Sequence, residues 1–522
     1  MSFRADTTGG LRFQGTANTE TMAPPLEAQG DLRRPHGGDN LSRQAWRWLH
    51  RLREVTPAEF AEFTCCFERL DGPAPAGAVD TACRSRWPSE AWIAVGRLAE
   101  ITCDVRDGAV VAQLTVGSRL VSKQLLALDD TELPYVKVFS ALASLLRTER
   151  ALLPAFLPSV AAAAPRSLRW FGGWKYLPGS TQVSKAACFT LPRFAIRLDA
   201  NGLHAFNWGA VPRAVTQRVF DNLNPRDRRG AARRQTVLDD RLHPSYADYC
   251  AAAQTVLAAL SRKDCEKVVL SRKRILSFSQ PLDPIDLFAR LIEQKGHAFQ
   301  YLMTLEEGET WVGISPELLL RRSGAWIETR PLAGSRRRGR STADDANERH
   351  SLLTSDKDGR EHDIAASHMF NRLQSVCERD TLTIVGDRQV AQLTYIQHLA
   401  TEMTGRLDPA CDAVDALACI YPPATILGKP EAPAEQIVRS CEPFQRSFFT
   451  GGVGMMSSSG DCEIALCIRS AAVSGHELHL YAGSGYVEGS VPSDEWRETE
   501  TKMQPFVDVV ASLRRDAHQQ VA

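Results

Sequence analysis

The spacing of apolar residues changes several times along the chain. Between residues 44 and 70 they recur at helical spacing, which predicts a helix. Residues 90–122 alternate between apolar and polar positions and predict strands, whereas residues 135–157 return to helical spacing. The first half of the chain therefore mixes both kinds of element.

Beyond Ser245 the pattern is clearer. A helix over residues 246–262 leads into a β-branched strand over residues 267–276. Further apolar runs predict strands over residues 311–322, 326–335, 462–473 and 476–487. One long helix is expected over residues 345–377, and another begins near Ser493 as its N-cap. Strands outnumber helices and do not alternate with them regularly, which indicates an α+β fold.

Length and composition add limits to this prediction. The chain has 522 residues, so two structural units are expected, after a disordered tail over residues 1–42 that lacks periodicity. The charges balance at 62 basic and 62 acidic residues, and the local arginine runs are typical of solvated loops, so we expect no nucleic-acid partner. The 13 cysteines include no C-x-x-C pair and fit free thiols. Without a signal-like segment or a run of 18 apolar residues, we expect a cytoplasmic protein with no membrane partner.

The last predicted helix carries a possible metal site. Glu495, Glu498 and Lys502 lie at i, i+3 and i+7, so they project from one face. The glycine-rich segment 483–489 precedes them and lets backbone N–H groups approach an anionic ligand. Two carboxylates plus substrate oxygens suit Mg²⁺, although a solvated acidic surface explains the same spacing.

A second group of charges lies on the helix predicted over residues 345–377. Asp358, Glu361 and His362 cluster there, and Glu361 is a candidate for the same metal. A charged solvent face is the alternative, because Lys357 and Glu361 form an ordinary i, i+4 pair. A histidine in such a place is more often structural than a ligand.

Three further charges stand at apolar strands. Lys267 opens one strand and Glu317 follows Ser315-Pro316 in another, where burial favours a neutral lysine and a protonated carboxyl group. Both residues are also consistent with strand ends whose charges lie in water. Arg469 lies within an apolar strand and needs a partner, either a ligand carboxylate or a structural carboxylate.

Taken in order, these segments resemble the chorismate-utilising enzymes, a family that includes isochorismate, salicylate and anthranilate synthases. The similarity runs over roughly residues 245–512, through KVVLSR, GISPELLL, RPLAGSRRRG, SDKDGREH, QHLATEMTG, CEPFQRSFFTGGVG, CIRSA and LYAGSGYVEGSVPSDEWRETETK. The segments FGGWKY and FTLPRF also resemble the family's N-terminal strands. The resemblance implies large antiparallel sheets that enclose a central cleft flanked by helices, with an N-terminal region over residues 43–240 and a chorismate-binding catalytic domain over residues 241–515.

The resemblance also implies a role for each matching residue. Lys267 is then the base that activates water, and Glu317 is the acid. Glu361, Glu495 and Glu498 surround Mg²⁺. The remaining positions implied to bind or line chorismate are Gly334, His398, Arg469, Gly483, Ser484, Gly485 and Lys502.

Within the family, the sequence most resembles an isochorismate synthase, an isomerase that moves a hydroxyl group on chorismate. Lys267 favours water as nucleophile, Ala333 stands where one type of aminodeoxychorismate synthase has lysine, and Phe449 stands where salicylate synthases usually have tyrosine. The segments PPATILGKP and GGVGMM depart from the family pattern, so the product stays open. Salicylate synthase is the first alternative, then an anthranilate synthase-like enzyme and a non-catalytic chorismate-binding protein. We expect a monomer without a glutaminase subunit.

Overall fold

A computed structural model of the chain describes most of the second half and separate segments of the first. The described residues are 3–5, 11–13, 26–30, 49, 52–54, 62–69, 90–128, 134–156, 168–177, 182–199, 202–208, 235–293 and 299–515. The tail predicted over residues 1–42 falls largely outside them.

Twenty-four strands are present among the described residues. Those before residue 210 are β1 (Phe3–Ala5), β2 (Leu11–Phe13), β3 (Leu26–Gly30), β4 (Thr64–Arg69), β5 (Glu90–Arg106), β6 (Ala109–Val116), β7 (Arg119–Ala127), β8 (Arg169–Trp174), β9 (Val183–Asp199) and β10 (Gly202–Asn207). Those after it are β11 (Val237–His243), β12 (Lys267–Phe278), β13 (Phe299–Glu306), β14 (Glu309–Ser315), β15 (Leu318–Ser323), β16 (Trp326–Arg330), β17 (Leu332–Arg337), β18 (Thr383–Gln392), β19 (Ile396–Arg406), β20 (Gly428–Lys429), β21 (Gly452–Ser457), β22 (Cys462–Leu466), β23 (Ser470–Ser474) and β24 (Glu477–Tyr486).

Eight longer helices accompany these strands in the described part of the chain. They are α1 (Pro134–Phe156), α2 (Tyr246–Ser261), α3 (Pro284–Leu291), α4 (Thr342–Thr354), α5 (Asp356–Leu373), α6 (Ala413–Ile420), α7 (Glu431–Cys441) and α8 (Pro492–Arg515). In the part of the chain that the structure covers, no helix is long and apolar enough to cross a membrane.

Two predicted helices differ from the structure. The helix predicted over residues 345–377 is wrong as one element, because Ser355 ends α4 and caps α5 by accepting a hydrogen bond from the Asp358 N–H. The last helix begins at Pro492 rather than after Ser493, and proline suits the first helical position because no intrahelical partner awaits its missing N–H. The helix expected up to residue 70 is also wrong at its end, where β4 pairs with β5 and β13.

Three predicted strands are each divided into two. Pro316 separates β14 from β15, and Pro331 separates β16 from β17, since proline has no N–H for a strand ladder. The third break lies between β22 and β23, where Arg469 has a φ of +50°. These breaks are useful to the site, because they turn Glu317 and Arg469 out of the strand ladder.

Every pairing between described strands is antiparallel, which confirms the predicted α+β class. One hydrogen-bonded path runs through β11, β12, β24, β23, β14, β13, β4, β5, β9, β8, β21, β22, β15, β16 and β19. Helix α7 contacts β12, α8 contacts β24, and α5 contacts β17 and β19. The two ends of the path thus each carry helices that bear predicted site residues.

The apolar core crosses the boundary predicted at residue 240. Trp174 of β8 packs edge-on against Tyr421, with ring centroids 5.5 Å apart, and Phe139 of α1 contacts both rings. Edge-to-face pairs of this kind add stabilisation beyond the area that they bury. The predicted division into two regions stays a prediction, and these regions share a core.

A buried arginine ties α7 to strand β12 beside the site. The Arg446 guanidinium donates to Glu442 Oε1 at 2.6 Å and to the carbonyl oxygens of Val269 and Ile426, both at 2.8 Å. Glu442 in turn accepts a hydrogen bond from the Ser271 N–H at 2.7 Å. Both charged groups are almost completely buried, so each depends on the other for compensation.

Replacing Arg446 by Met should therefore destabilise the protein by about 3–5 kcal/mol, because a buried carboxylate loses its partner. The matched control is Arg497→Met, which removes an exposed pair with Asp494 and should cost less than about 1 kcal/mol. Urea denaturation measures both changes. Equal losses for the two variants would contradict the assigned role of Arg446.

Candidate active site

Lys267 and Glu361 form the centre of the candidate site. Lys267 is the first residue of β12, Glu361 lies in the second turn of α5, and Lys267 Nζ is 3.1 Å from Glu361 Oε1. Lys267 is 1% exposed and Glu361 is 7% exposed, so this contact is largely removed from water. The alternative that Lys267 keeps its charge in solvent is excluded by this burial.

Gly485 of β24 leaves the space in which this pair forms. A Cβ atom at residue 485 would lie 2.3 Å from Glu361 Oε1 and 2.9 Å from Lys267 Cε. Both distances are shorter than real Cβ contacts, so a side chain there would displace the pair.

The carboxylates of α8 face the same region. Glu495 Oε1 lies 2.5 Å from the Nζ of Lys357, and Glu498 Oε1 lies 2.6 Å from the Nζ of Lys502. Burial and the negative charge of Glu498 raise the pKa of Glu495 to about 7. Burial acts to raise the pKa of Glu498 as well, but the ammonium of Lys502 outweighs it and lowers that pKa to about 2.

The three predicted metal-ligating residues, Glu361, Glu495 and Glu498, lie near enough for their charges to interact, although each carboxylate is paired with a lysine. The charges of Glu498 and Glu361 both act on Glu495 and raise its pKa. In the part of the chain that the structure describes, no group of three or more His, Cys, Asp or Glu side chains is gathered as a ready-made metal cage. Buried carboxylates that repel one another are nevertheless hard oxygen ligands suited to Mg²⁺, so these residues fit that ion.

Glu317 lies at the Pro316 break between β14 and β15. It is 3% exposed, and burial raises the pKa of its carboxyl group from 4.5 to about 7, against the opposing charges of Lys267 and Lys502. Such a group holds a proton near neutral pH and can donate it. This burial excludes the alternative in which the Glu317 charge lies in water.

Arg469, His398 and Gly334 form a hydrogen-bonded chain. Arg469 Nη2 donates to His398 Nε2 at 2.6 Å, so His398 Nδ1 carries the ring proton and faces the Gly334 carbonyl oxygen at 3.2 Å. Gly334 has a φ of +73°, and a Cβ there would lie 3.1 Å from Asp358. Burial lowers the pKa of Arg469 to about 10. Because its described hydrogen bond is to a neutral ring, the Arg469 charge stays uncompensated by that partner.

The Gly483–Gly485 segment presents a free sheet edge. Beyond Leu480, β24 pairs with β12 but has no further pairing to β23 among the described strands. Lys502 Nζ donates to the Gly483 carbonyl oxygen on this segment at 2.7 Å. The Ser484 hydroxyl instead contacts the Tyr249 hydroxyl of α2 at 2.9 Å, so any ligand contact of Ser484 must come from its backbone.

Sequence reasoning missed two polar residues of the site. It considered Lys357 only in an alternative local pair with Glu361, whereas the Lys357 ammonium reaches Glu495 on another helix. It also left out Tyr249, whose ring is buried behind Ser484. Neither contact leaves a local signal, because each joins segments more than one hundred residues apart.

Comparison with known proteins agrees with this arrangement. The family model for chorismate binding enzymes matches residues 138–508. The chain therefore belongs to the chorismate binding enzyme family. The predicted family is confirmed, and the match extends across the boundary predicted at residue 240.

The names of the individual relatives state different activities. Isochorismate synthase DhbC of Bacillus subtilis is 33% identical over 271 residues, which are 51% of this chain and 68% of that protein. Anthranilate synthase component 1 of Streptomyces coelicolor is 32% identical over 249 residues, which are 47% of this chain and 48% of that protein. The chain thus spans about half to three quarters of the length of the curated relatives it matches.

A solved structure supports the fold. MenF, the menaquinone-specific isochorismate synthase from Escherichia coli, superposes with a TM-score of 0.65 at 20% identity, covering 93% of this chain and 94% of that one. At this level of identity the likeness establishes the fold.

Gly485→Ala should disrupt the Lys267–Glu361 pair and cost about 1–3 kcal/mol of stability, since the new methyl group overlaps both side chains. Gly359→Ala on α5 is the control, because its Cβ meets only Arg388 Nη1 at 3.8 Å. Replacing a helical glycine by alanine, where the new methyl group has no close contact, should instead stabilise the protein by about 0.5–1 kcal/mol. Thermal unfolding of both variants checks the opposite signs, and a Gly485→Ala protein as stable as wild type would argue against this packing.

Proposed function

We propose that the protein is a Mg²⁺-dependent isochorismate synthase that converts chorismate to isochorismate. The observation that carries the proposal is the buried Lys267 together with a buried Glu317 carboxyl group whose pKa is raised to about 7. A base and a protonated acid in one cleft are what the transfer of a hydroxyl group requires.

The proton inventory of the proposed reaction is balanced. Neutral Lys267 takes a proton from water as the water oxygen bonds to ring carbon 2. The ring double bonds each shift by one position, and the hydroxyl group on carbon 4 leaves as water with the proton of Glu317. One proton then passes from Lys267 back to Glu317 to restore both groups.

The other charged residues would bind and orient the substrate. Glu361, Glu495 and Glu498 would hold Mg²⁺, which neutralises the ring carboxylate when bound. The Arg469 guanidinium, whose described hydrogen bond is to the neutral His398 ring, suits the second carboxylate, together with Lys502 and the free edge of Gly483–Gly485. Gly334 and His398 keep the Arg469 side chain in place.

Product analysis tests the proposal. Purified protein is incubated with chorismate and Mg²⁺, and the products are separated by chromatography. We expect isochorismate. Salicylate with pyruvate would select the salicylate synthase alternative, anthranilate formed with ammonia would overturn water as the nucleophile, and no turnover would refute all three activities.

Lys267→Ala should lower the rate constant of isochorismate formation about 10²–10⁴-fold, because the attacking water loses its base. Lys273→Ala is the matched control on the same strand, where Lys273 Nζ lies 5.6 Å from the centroid of the Phe444 ring. Steady-state kinetics of both variants measure the difference. Full activity of Lys267→Ala would remove the lysine from the mechanism.

Glu317 predicts the pH dependence. The carboxyl group acts in its protonated form and loses its proton above its raised pKa of about 7. We therefore expect kcat/KM to fall about tenfold per pH unit above that value. Glu317→Gln should abolish this dependence together with most of the activity. Glu435→Gln is the control, because burial also raises the pKa of Glu435 to about 7, away from the cleft. An alkaline fall that vanished in Glu435→Gln would contradict the assignment.

A further inference from the structure

A buried arginine of β12 contacts the helix that carries two of the proposed metal ligands. Arg272 is completely buried. Its Nε donates to Thr499 Oγ1 of α8 at 2.6 Å, and its Nη2 donates to the Glu500 carboxylate. Its Cζ lies 3.7 Å from the centroid of the Trp496 ring, which is a cation–π contact. One guanidinium group thus contacts three neighbouring side chains of α8.

The Trp496 ring is also in contact with α2. Tyr246 and Tyr249 meet it edge-on, each with a distance of 5.2 Å between ring centroids. Edge-on pairs of this kind are favourable because the positive ring edge meets the negative ring face. Trp496 therefore contacts both β12 and α2, and a rotation of α8 about its own axis would disturb both contacts.

The residues of α8 that Arg272 contacts are the direct neighbours of the proposed metal ligands. Trp496 follows Glu495, and Thr499 follows Glu498. Successive residues of an α-helix point about 100° apart, so the contacts with Arg272 and the two carboxylates lie on adjacent faces of one helix. The same contacts therefore determine the direction in which both carboxylates leave α8.

Mg²⁺ is sensitive to such a direction. It demands near-ideal octahedral geometry with ligand distances of about 2.0–2.1 Å, and supporting contacts must hold its ligands to within about 0.5 Å. We propose that Arg272 is a positioning residue, which fixes the rotation of α8 so that Glu495 and Glu498 converge on Mg²⁺. This inference rests on the proposed function, because both carboxylates are assigned there to the metal.

Thr499→Val tests the contact with the smallest change, since it removes the hydroxyl group that accepts from Arg272 and keeps the side-chain shape. We expect the dissociation constant of Mg²⁺ to rise about tenfold, as is typical when a residue that orients a metal ligand is lost. Thr499→Ser keeps the hydroxyl group and should retain most of the affinity.

Thr501→Val is the matched control on the same helix. The Thr501 hydroxyl donates to the Arg497 carbonyl oxygen at 2.9 Å, just as Thr499 donates within the helix to the Trp496 carbonyl oxygen at 2.6 Å. Both valine variants therefore lose one hydrogen bond inside α8, but only Thr499→Val loses the contact with Arg272. Thr501→Val should leave Mg²⁺ binding unchanged.

Arg272→Lys is a second probe. It keeps the positive charge, but an ammonium group cannot donate to Thr499 and Glu500 and also cover the Trp496 ring as the planar guanidinium does. We expect Mg²⁺ to bind about 10–100-fold more weakly. Isothermal titration calorimetry with Mg²⁺ alone measures the dissociation constants, at a temperature at which circular dichroism shows every variant to be folded.

The outcomes separate this inference from the proposed function. Wild-type affinity for Mg²⁺ in both Thr499→Val and Arg272→Lys overturns the positioning role, even if wild type forms isochorismate. An equal loss of affinity in Thr501→Val also overturns it, because the effect then comes from the helix alone. A wild type that binds no Mg²⁺ overturns both the metal site and the inference. If the variants bind Mg²⁺ as expected but wild type forms no isochorismate, the proposed function fails and the positioning role stands.

Discussion

Buried carboxylates on α5 and α8 are paired with lysine side chains, and the rest of the site depends on this pairing. Lys267 binds Glu361, Lys357 binds Glu495 and Lys502 binds Glu498, at distances between 2.5 and 3.1 Å. Charges removed from water are tolerated only when compensated in this way. The Lys267–Glu361 pair links α5 to β12, and the Lys357–Glu495 pair links α5 to α8. Lys502, which pairs with Glu498 within α8, also donates to the Gly483 carbonyl oxygen of β24.

Backbone features make these contacts possible. Gly485 leaves room for the first pair, the Pro316 break directs Glu317 out of its strand, and the positive φ of Arg469 turns its guanidinium toward His398. Arg446 anchors the loop that precedes β21 to strand β12 by donating a hydrogen bond to the Val269 carbonyl oxygen. The candidate site is thus assembled at interruptions of the antiparallel sheet, where side chains leave the regular alternation of faces.

Much of this arrangement is visible in the sequence. The β-branched run after Lys267 predicts β12, and the N-cap near Ser493 predicts α8, whose spacing then places three charges on one face. The ordered motifs predict the family. The prolines at residues 316 and 331 also mark strand breaks that the apolar pattern alone hides. Other contacts are not predictable locally. Ser355 divides a helical pattern through a capping hydrogen bond, and Lys357 finds Glu495 only because the folded chain brings two helices together.

The central claim is that water adds to carbon 2 of chorismate under the control of Lys267 and Glu317. The most direct measurement is turnover in ¹⁸O-labelled water followed by mass spectrometry of the product. The account predicts isochorismate with one solvent oxygen atom in its ring hydroxyl group. Isochorismate that retained the original oxygen atom would contradict water addition and the roles of both residues.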